Sequence, residues 1–120
     1  MKPVRRQIPL YGGGLCVVKT KKDYQTARFA ITGETDDDDR PHKSDEGLTE
    51  CLTAKDGRIT YLIGVFAGGS RTLVHELGHA TFMILKNCGV NYTSGNHESY
   101  CYLLDTLYGL ATEKADGQSR

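Results

Sequence analysis

The spacing of hydrophobic positions changes along this chain, and the change divides it into two kinds of segment. In the C-terminal half, Leu73, Leu77, Ala80 and Ile84 recur at i, i+4, i+7 and i+11, which is one face of an α-helix. Ser70, after Gly68-Gly69, offers an N-cap, and Gly89 offers a stop. Tyr100, Leu103, Leu104, Leu107 and Ala111 make a second stripe of the same kind, which Asn96 or Ser94 can cap. Upstream the pattern is that of strands. Residues 48–54 and 58–66 flank Lys55-Asp56-Gly57, and an Asp-Gly turn between β-prone runs predicts a hairpin. Residues 15–20 and 24–32 read as two further strands, the second also compatible with a short helix. This order predicts an α+β domain: a small antiparallel sheet of three or four strands packed on the first helix, with the second helix following.

The polar faces of the two helices carry the candidate chemistry. His75-Glu76-Leu77-Gly78-His79 spells H-E-x-x-H. At 100° per residue, side chains four apart lie nearly one above the other, so both imidazoles can reach a single ion. The apolar stripe lies opposite, leaving the histidines with Thr72 and Met83 on the other face. Glu76 is one step round the helix, where its carboxylate can approach a water on the metal without being a ligand. Zinc would lower the pKa of such a water to about 7, and Glu76 would take its proton. The expected chemistry is metal-assisted hydrolysis, above all of a peptide bond.

A catalytic zinc needs a third protein ligand and an open position. The continuation H-E-x-x-H-x-x-G-x-x-H requires Gly at 82 and His at 85; Phe82 and Leu85 stand there, which excludes the metzincin branch. On the second helix Glu98, Tyr102 and Asp105 share the polar face. From His79 to the end of the first helix is about 14 Å of rise, and eight connecting residues span about 26 Å when extended, so the chain can turn back far enough for Glu98 to reach His79. Glu98 is the expected third ligand, with His97 its nearest competitor; the two point about 100° apart, so only one should coordinate. Asp105 has the chemistry to accept the outer N–H of a metal-bound imidazole, and Tyr102 could donate to an oxyanion. Each also reads as an ordinary helix residue.

HELGH followed by a glutamate helix resembles the gluzincin zinc peptidases. The compact form, with a short loop and then E-x-x-x-Y-L-L-D, is similar to small metallopeptidase-like proteins encoded by bacteriophages. The resemblance covers residues 58–110, about half the chain. It implies His75, His79 and Glu98 as zinc ligands and Glu76 as the catalytic glutamate. Gluzincins often carry an acidic residue four places after the ligand glutamate; Tyr102 stands there, and Asp105 is the alternative for that role.

Composition bounds the remaining possibilities. A chain of 120 residues suffices for one core, read as a single domain over residues 1–111 with a frayed tail over 112–120. Lys plus Arg and Asp plus Glu are 15 each, so no basic stripe points to nucleic acid. No apolar segment follows the charged N-terminus as a leader or membrane span would, which leads to an expectation of the cytoplasm, or of the host cytoplasm for a phage protein. Four cysteines without a C-x-x-C pair read as reduced thiols; Cys101 as a fourth ligand would close the site. Asp36-Asp37-Asp38-Asp39 invites a calcium reading, but its spacing does not fit an EF-hand, and a solvated loop is expected. The expected partner is a peptide or protein substrate, placed over the metal by an edge strand that leads into the motif helix. The rival is a binding protein that keeps the zincin scaffold and its zinc but inhibits a host partner without turnover.

Overall fold

The computed structural model of the protein describes residues 3–34, 41–42 and 44–113. The acidic run 36–39 and residues 114–120 of the expected tail lie outside them. The described residues form a small compact α+β unit of four strands and three helices: β1 (Val4–Gln7), β2 (Gly14–Val18), α1 (Lys21–Thr32), β3 (Gly47–Thr53), β4 (Ile59–Val65), α2 (Gly69–Asn87) and α3 (His97–Thr112). The strands make one sheet in the order β1-β2-β4-β3.

The expected hairpin is present. β3 and β4 pair antiparallel from Gly47↔Val65 to Thr53↔Ile59, closed by a turn at Gly57, whose φ is 89°. The all-antiparallel expectation is corrected, because β4 also pairs parallel with β2 through Leu15↔Tyr61, Cys16↔Leu62 and Val17↔Ile63. The sheet is therefore mixed. A parallel neighbour requires a long crossover, and residues 24–32, read as a strand or a short helix, supply its helix. Thr20 caps α1 by accepting from the Asp23 amide at 3.0 Å, Gly33 ends it at φ 75°, and Tyr24, Ala27 and Ile31 meet the sheet at i, i+3 and i+7. The strand β1, paired antiparallel to β2, stands where only charge was noted.

The strand that leads into α2, expected at the sheet edge, is central, and β3 takes the edge beside it; because β2 and β4 are central, side chains on both their faces are buried. Cys16, Val18, Leu52 and Leu62 pack under α1 with Tyr24 and Ala27. Leu15, Val17, Tyr61, Ile63 and Val65 pack against Leu77, Ala80, Ile84 and Leu85 of α2 and Tyr100, Leu103 and Leu107 of α3. Within the first layer the Tyr24 hydroxyl donates to Glu50 Oε1 at 2.8 Å, and Arg28 Nε donates to the same oxygen at 3.1 Å. Burial, and then that carboxylate, hold the Tyr24 phenol well above its usual range.

The start of α2 is also corrected. Its N-cap is Gly68 at φ 82°, and no side chain caps the turn. Ser70 lies one residue inside the helix. At the other end Gly89 takes φ 82° and its amide donates to Lys86 O, the stop expected of it. The N-cap of α3 is Asn96, yet its side chain holds the preceding loop instead, accepting from the Thr93 amide at 2.7 Å and donating to Asn91 O.

Candidate active site

Helix α2 lies over the edge strand β3, and the motif occupies its middle. His75 and His79, one turn apart on the exposed face, bring their Nε2 atoms to 3.2 Å, with ring centroids 4.8 Å apart at 84°. Two nitrogens at that separation, each about 2.05 Å from a common point, subtend about 100° there, close to a tetrahedral angle. The pair therefore fits a shared zinc ion by geometry as well as by donor type. The same 3.2 Å also fits an N–H···N hydrogen bond between the rings.

Glu76 turns the other way. Only 7 % exposed, it points at β3, where the Thr49 hydroxyl lies 2.6 Å from its Oε1 and 3.1 Å from its backbone carbonyl. A short hydrogen bond to a carboxylate fixes the side chain and leaves Oε2 as the oxygen that Thr49 does not engage. Gly47 makes the approach possible: a Cβ there would lie 2.8 Å from Glu76 Oε2, 2.9 Å from its Cγ and 2.7 Å from Thr72 Cγ2. A cleft of about 280 Å³ opens between strand and helix, lined by Glu46, Gly47, Arg71, Thr72, His75 and Glu76. Arg71 and Glu46 pair at its mouth at 3.3 Å. Thr72, part of that lining, turns its Cγ2 toward Gly47, and its Oγ1 is buried without a hydrogen-bond partner.

The structure thus brings together two of the four expected site residues, His75 and His79, while Glu76 is turned toward β3. Glu98 stands exposed in the first turn of α3, and no group of three or more His, Cys, Asp or Glu able to hold a metal forms among the described residues. His97, Cys101, Tyr102 and Asp105 are exposed on the same helix. Tyr100 is buried, its hydroxyl donating to Val90 O at 3.3 Å, so it is occupied in holding the loop before α3.

Sequence reasoning missed Thr49 and Gly47 as parts of the site, and Thr72, expected on the histidine face, is buried. A signal existed for the first two. Gly47, Thr49 and Cys51 alternate on the β3 face toward α2, and small or polar residues on an inward face mark a close approach or a polar partner. Among the described residues no helix is long and apolar enough to cross a membrane. In comparisons with known proteins, no protein-family model, no curated protein and no solved structure matches this chain.

Proposed function

We propose that the protein is a zinc-dependent peptidase built as a minimal gluzincin-like zincin and working on an extended peptide. The observation that carries this reading is the convergence of His75 and His79 Nε2 at 3.2 Å, with the buried Glu76 carboxylate held one residue away under an edge strand. His75 and His79 would hold the zinc, and Glu98 would complete the protein ligands from the first turn of α3. Bound there, zinc supplies Lewis acidity and a lowered pKa for water. Glu76 accepts the proton at Oε2, while Thr49 keeps Oε1 engaged so that the carboxylate does not swing into the helix face. The outer edge of β3 presents unpaired backbone groups to which a peptide adds as a further strand, within a residue of Glu76. A cytoplasmic setting, the host's in the case of a phage protein, belongs to the same proposal.

A second reading is favoured by one observation, the exposed position of Glu98 away from the histidine pair. It is a zinc-bearing binding protein that docks on a host partner without turnover. Glu76→Gln separates the two. The substitution keeps shape and removes the base, so zinc content by atomic absorption and the fold by circular dichroism should persist. Cleavage of a mixed peptide library should fall by about 10² to 10⁴. No cleavage by either protein, with equal capture of a lysate partner by both, would reject the peptidase and leave the binding protein.

A further inference from the structure

Two helices of this fold begin at the same end of the sheet. The neighbouring parallel strands β2 and β4 end at Val18 and Val65; the first leads into α1 and the second into α2, which cover opposite faces. In open α/β sheets ligands bind beyond the carboxyl ends of the strands, where successive connections part to opposite faces. The start of α1 is closed there by its own Thr20. That of α2, a helix of 19 residues, is open: its N-cap is Gly68, and no side chain bonds to its first turn. The first amides of a helix have no carbonyl partner within it. A second, independent observation marks the same point. Thr72 is 4 % exposed, and its Oγ1 is the one buried side-chain oxygen or nitrogen among the described residues without a hydrogen-bond partner. It is aimed at the N-cap, since a Cβ at Gly68 would lie 2.2 Å from it and 3.0 Å from Nη2 of Arg71. An unpaired buried hydroxyl costs the fold stability that valine, of the same shape, would not.

We propose that the start of α2 is a binding site for a phosphate group, separate from the histidine pair and independent of the peptidase reading. Its donors are the amides of Gly69, Ser70 and Arg71, the Thr72 hydroxyl and the Arg71 guanidinium. The aligned peptide dipoles of α2 make its N-terminus positive, and the free amides there point at whatever lies beyond it. Donors of three kinds converge, and a phosphate offers three acceptor oxygens where a carboxylate offers two. Gly68 and Gly69 leave the approach open: Gly68 to Arg71 are exposed, and a Cβ at Gly69 would meet nothing within 4 Å. Arg71 pairs with Glu46 at 3.3 Å, but both side chains are more than half exposed, so the pair is weak and the guanidinium is able to turn. It stands over Gly68 beside the hydroxyl, moves aside as the anion enters, and then closes on it. Lys21, at the start of α1, adds positive charge at this end of the sheet, its Nζ 5.7 Å from the centroid of the Phe66 ring.

The test uses the full chain without added zinc, so that its outcome does not depend on the metal site. Its probes are inorganic phosphate and N-acetyl-phosphoserine amide, at about pH 7.5, where both are largely dianions, with sodium chloride of equal ionic strength as the control. Binding is followed by ¹H–¹⁵N amide shifts. Both probes should shift the amides of Gly69, Ser70 and Arg71 saturably. Thr72→Val should weaken both by at least about tenfold, the usual worth of a hydrogen bond to a charged group, and should leave Tm unchanged or raise it, because no bond within the fold is lost. Arg71→Gln should weaken both as well. Equal affinity for the two probes identifies the free ion as a sufficient ligand, and tighter binding of the ester identifies a phosphorylated molecule; either supports the site. The absence of saturable shifts at the start of α2, shifts that sodium chloride reproduces, or binding undiminished in Thr72→Val overturns it. A Tm lowered by more than about 2 °C in Thr72→Val assigns the hydroxyl to the fold and overturns it too.

Discussion

Thr49→Val tests whether the edge strand sets the catalytic carboxylate. Valine matches threonine in shape, so the change removes the hydroxyl and little else. In the native protein that hydroxyl is 2.6 Å from Oε1 of a glutamate that is 7 % exposed. A hydrogen bond to a charged group contributes about 1.5–3 kcal/mol, and a buried acceptor left without a donor carries its own desolvation cost of similar size. A loss of about 2 kcal/mol is therefore expected, a large share of the roughly 5–15 kcal/mol that stabilises a domain. With 120 residues, the unfolding entropy at the midpoint is about 0.25 kcal/mol/K, so Tm should fall by about 8 °C. Calorimetry measures this directly. The same substitution in a Glu76→Gln background removes only a neutral hydrogen bond and should cost about half as much. A Tm drop under about 2 °C, or equal drops in both backgrounds, would refute the reading that Thr49 holds the Glu76 carboxylate.

Three further outcomes are expected. Zinc should raise the thermal midpoint of the wild type by an amount that grows with the logarithm of its free concentration above Kd, and His79→Ala should abolish that rise; a midpoint indifferent to zinc would reject the metal site. In a zinc titration Glu98→Ala should weaken binding by at least about tenfold while His97→Ala leaves it nearly intact, and the reverse order would assign the third ligand to His97. Iodoacetamide should label Cys51, Cys88 and Cys101 in the folded protein and spare Cys16, whose thiol is buried and raised above its usual pKa by that burial, with nearby Arg5 opposing in part. Peptide mapping with Cys16 labelled as fast as the others would contradict the packing of β2.

What the amino-acid order determined by itself is the set of features fixed within a few residues. The four-residue interval between His75 and His79 is one helical turn, so their convergence follows from helix geometry. The Asp56-Gly57 turn closes the β3–β4 hairpin, because only glycine adopts its positive φ without cost. The stripe Leu77, Ala80 and Ile84 found the core for the same local reason. Even α1 was legible in its cap at Thr20 and in the i, i+3, i+7 spacing of Tyr24, Ala27 and Ile31, although β-prone residues hid it. The tertiary structure decided the rest. Nothing near Cys16 specifies Leu62 as its parallel neighbour; that pairing depends on which apolar faces α1, α2 and α3 can cover together. Thr49 meets Glu76 only because β3 ends up at the sheet edge beneath α2, with Gly47 small enough to let them close. Glu98 stands exposed because Tyr100, Leu103 and Leu107 fix the rotation of α3 by burying the opposite face, and burial of three large side chains outweighs the placement of one carboxylate.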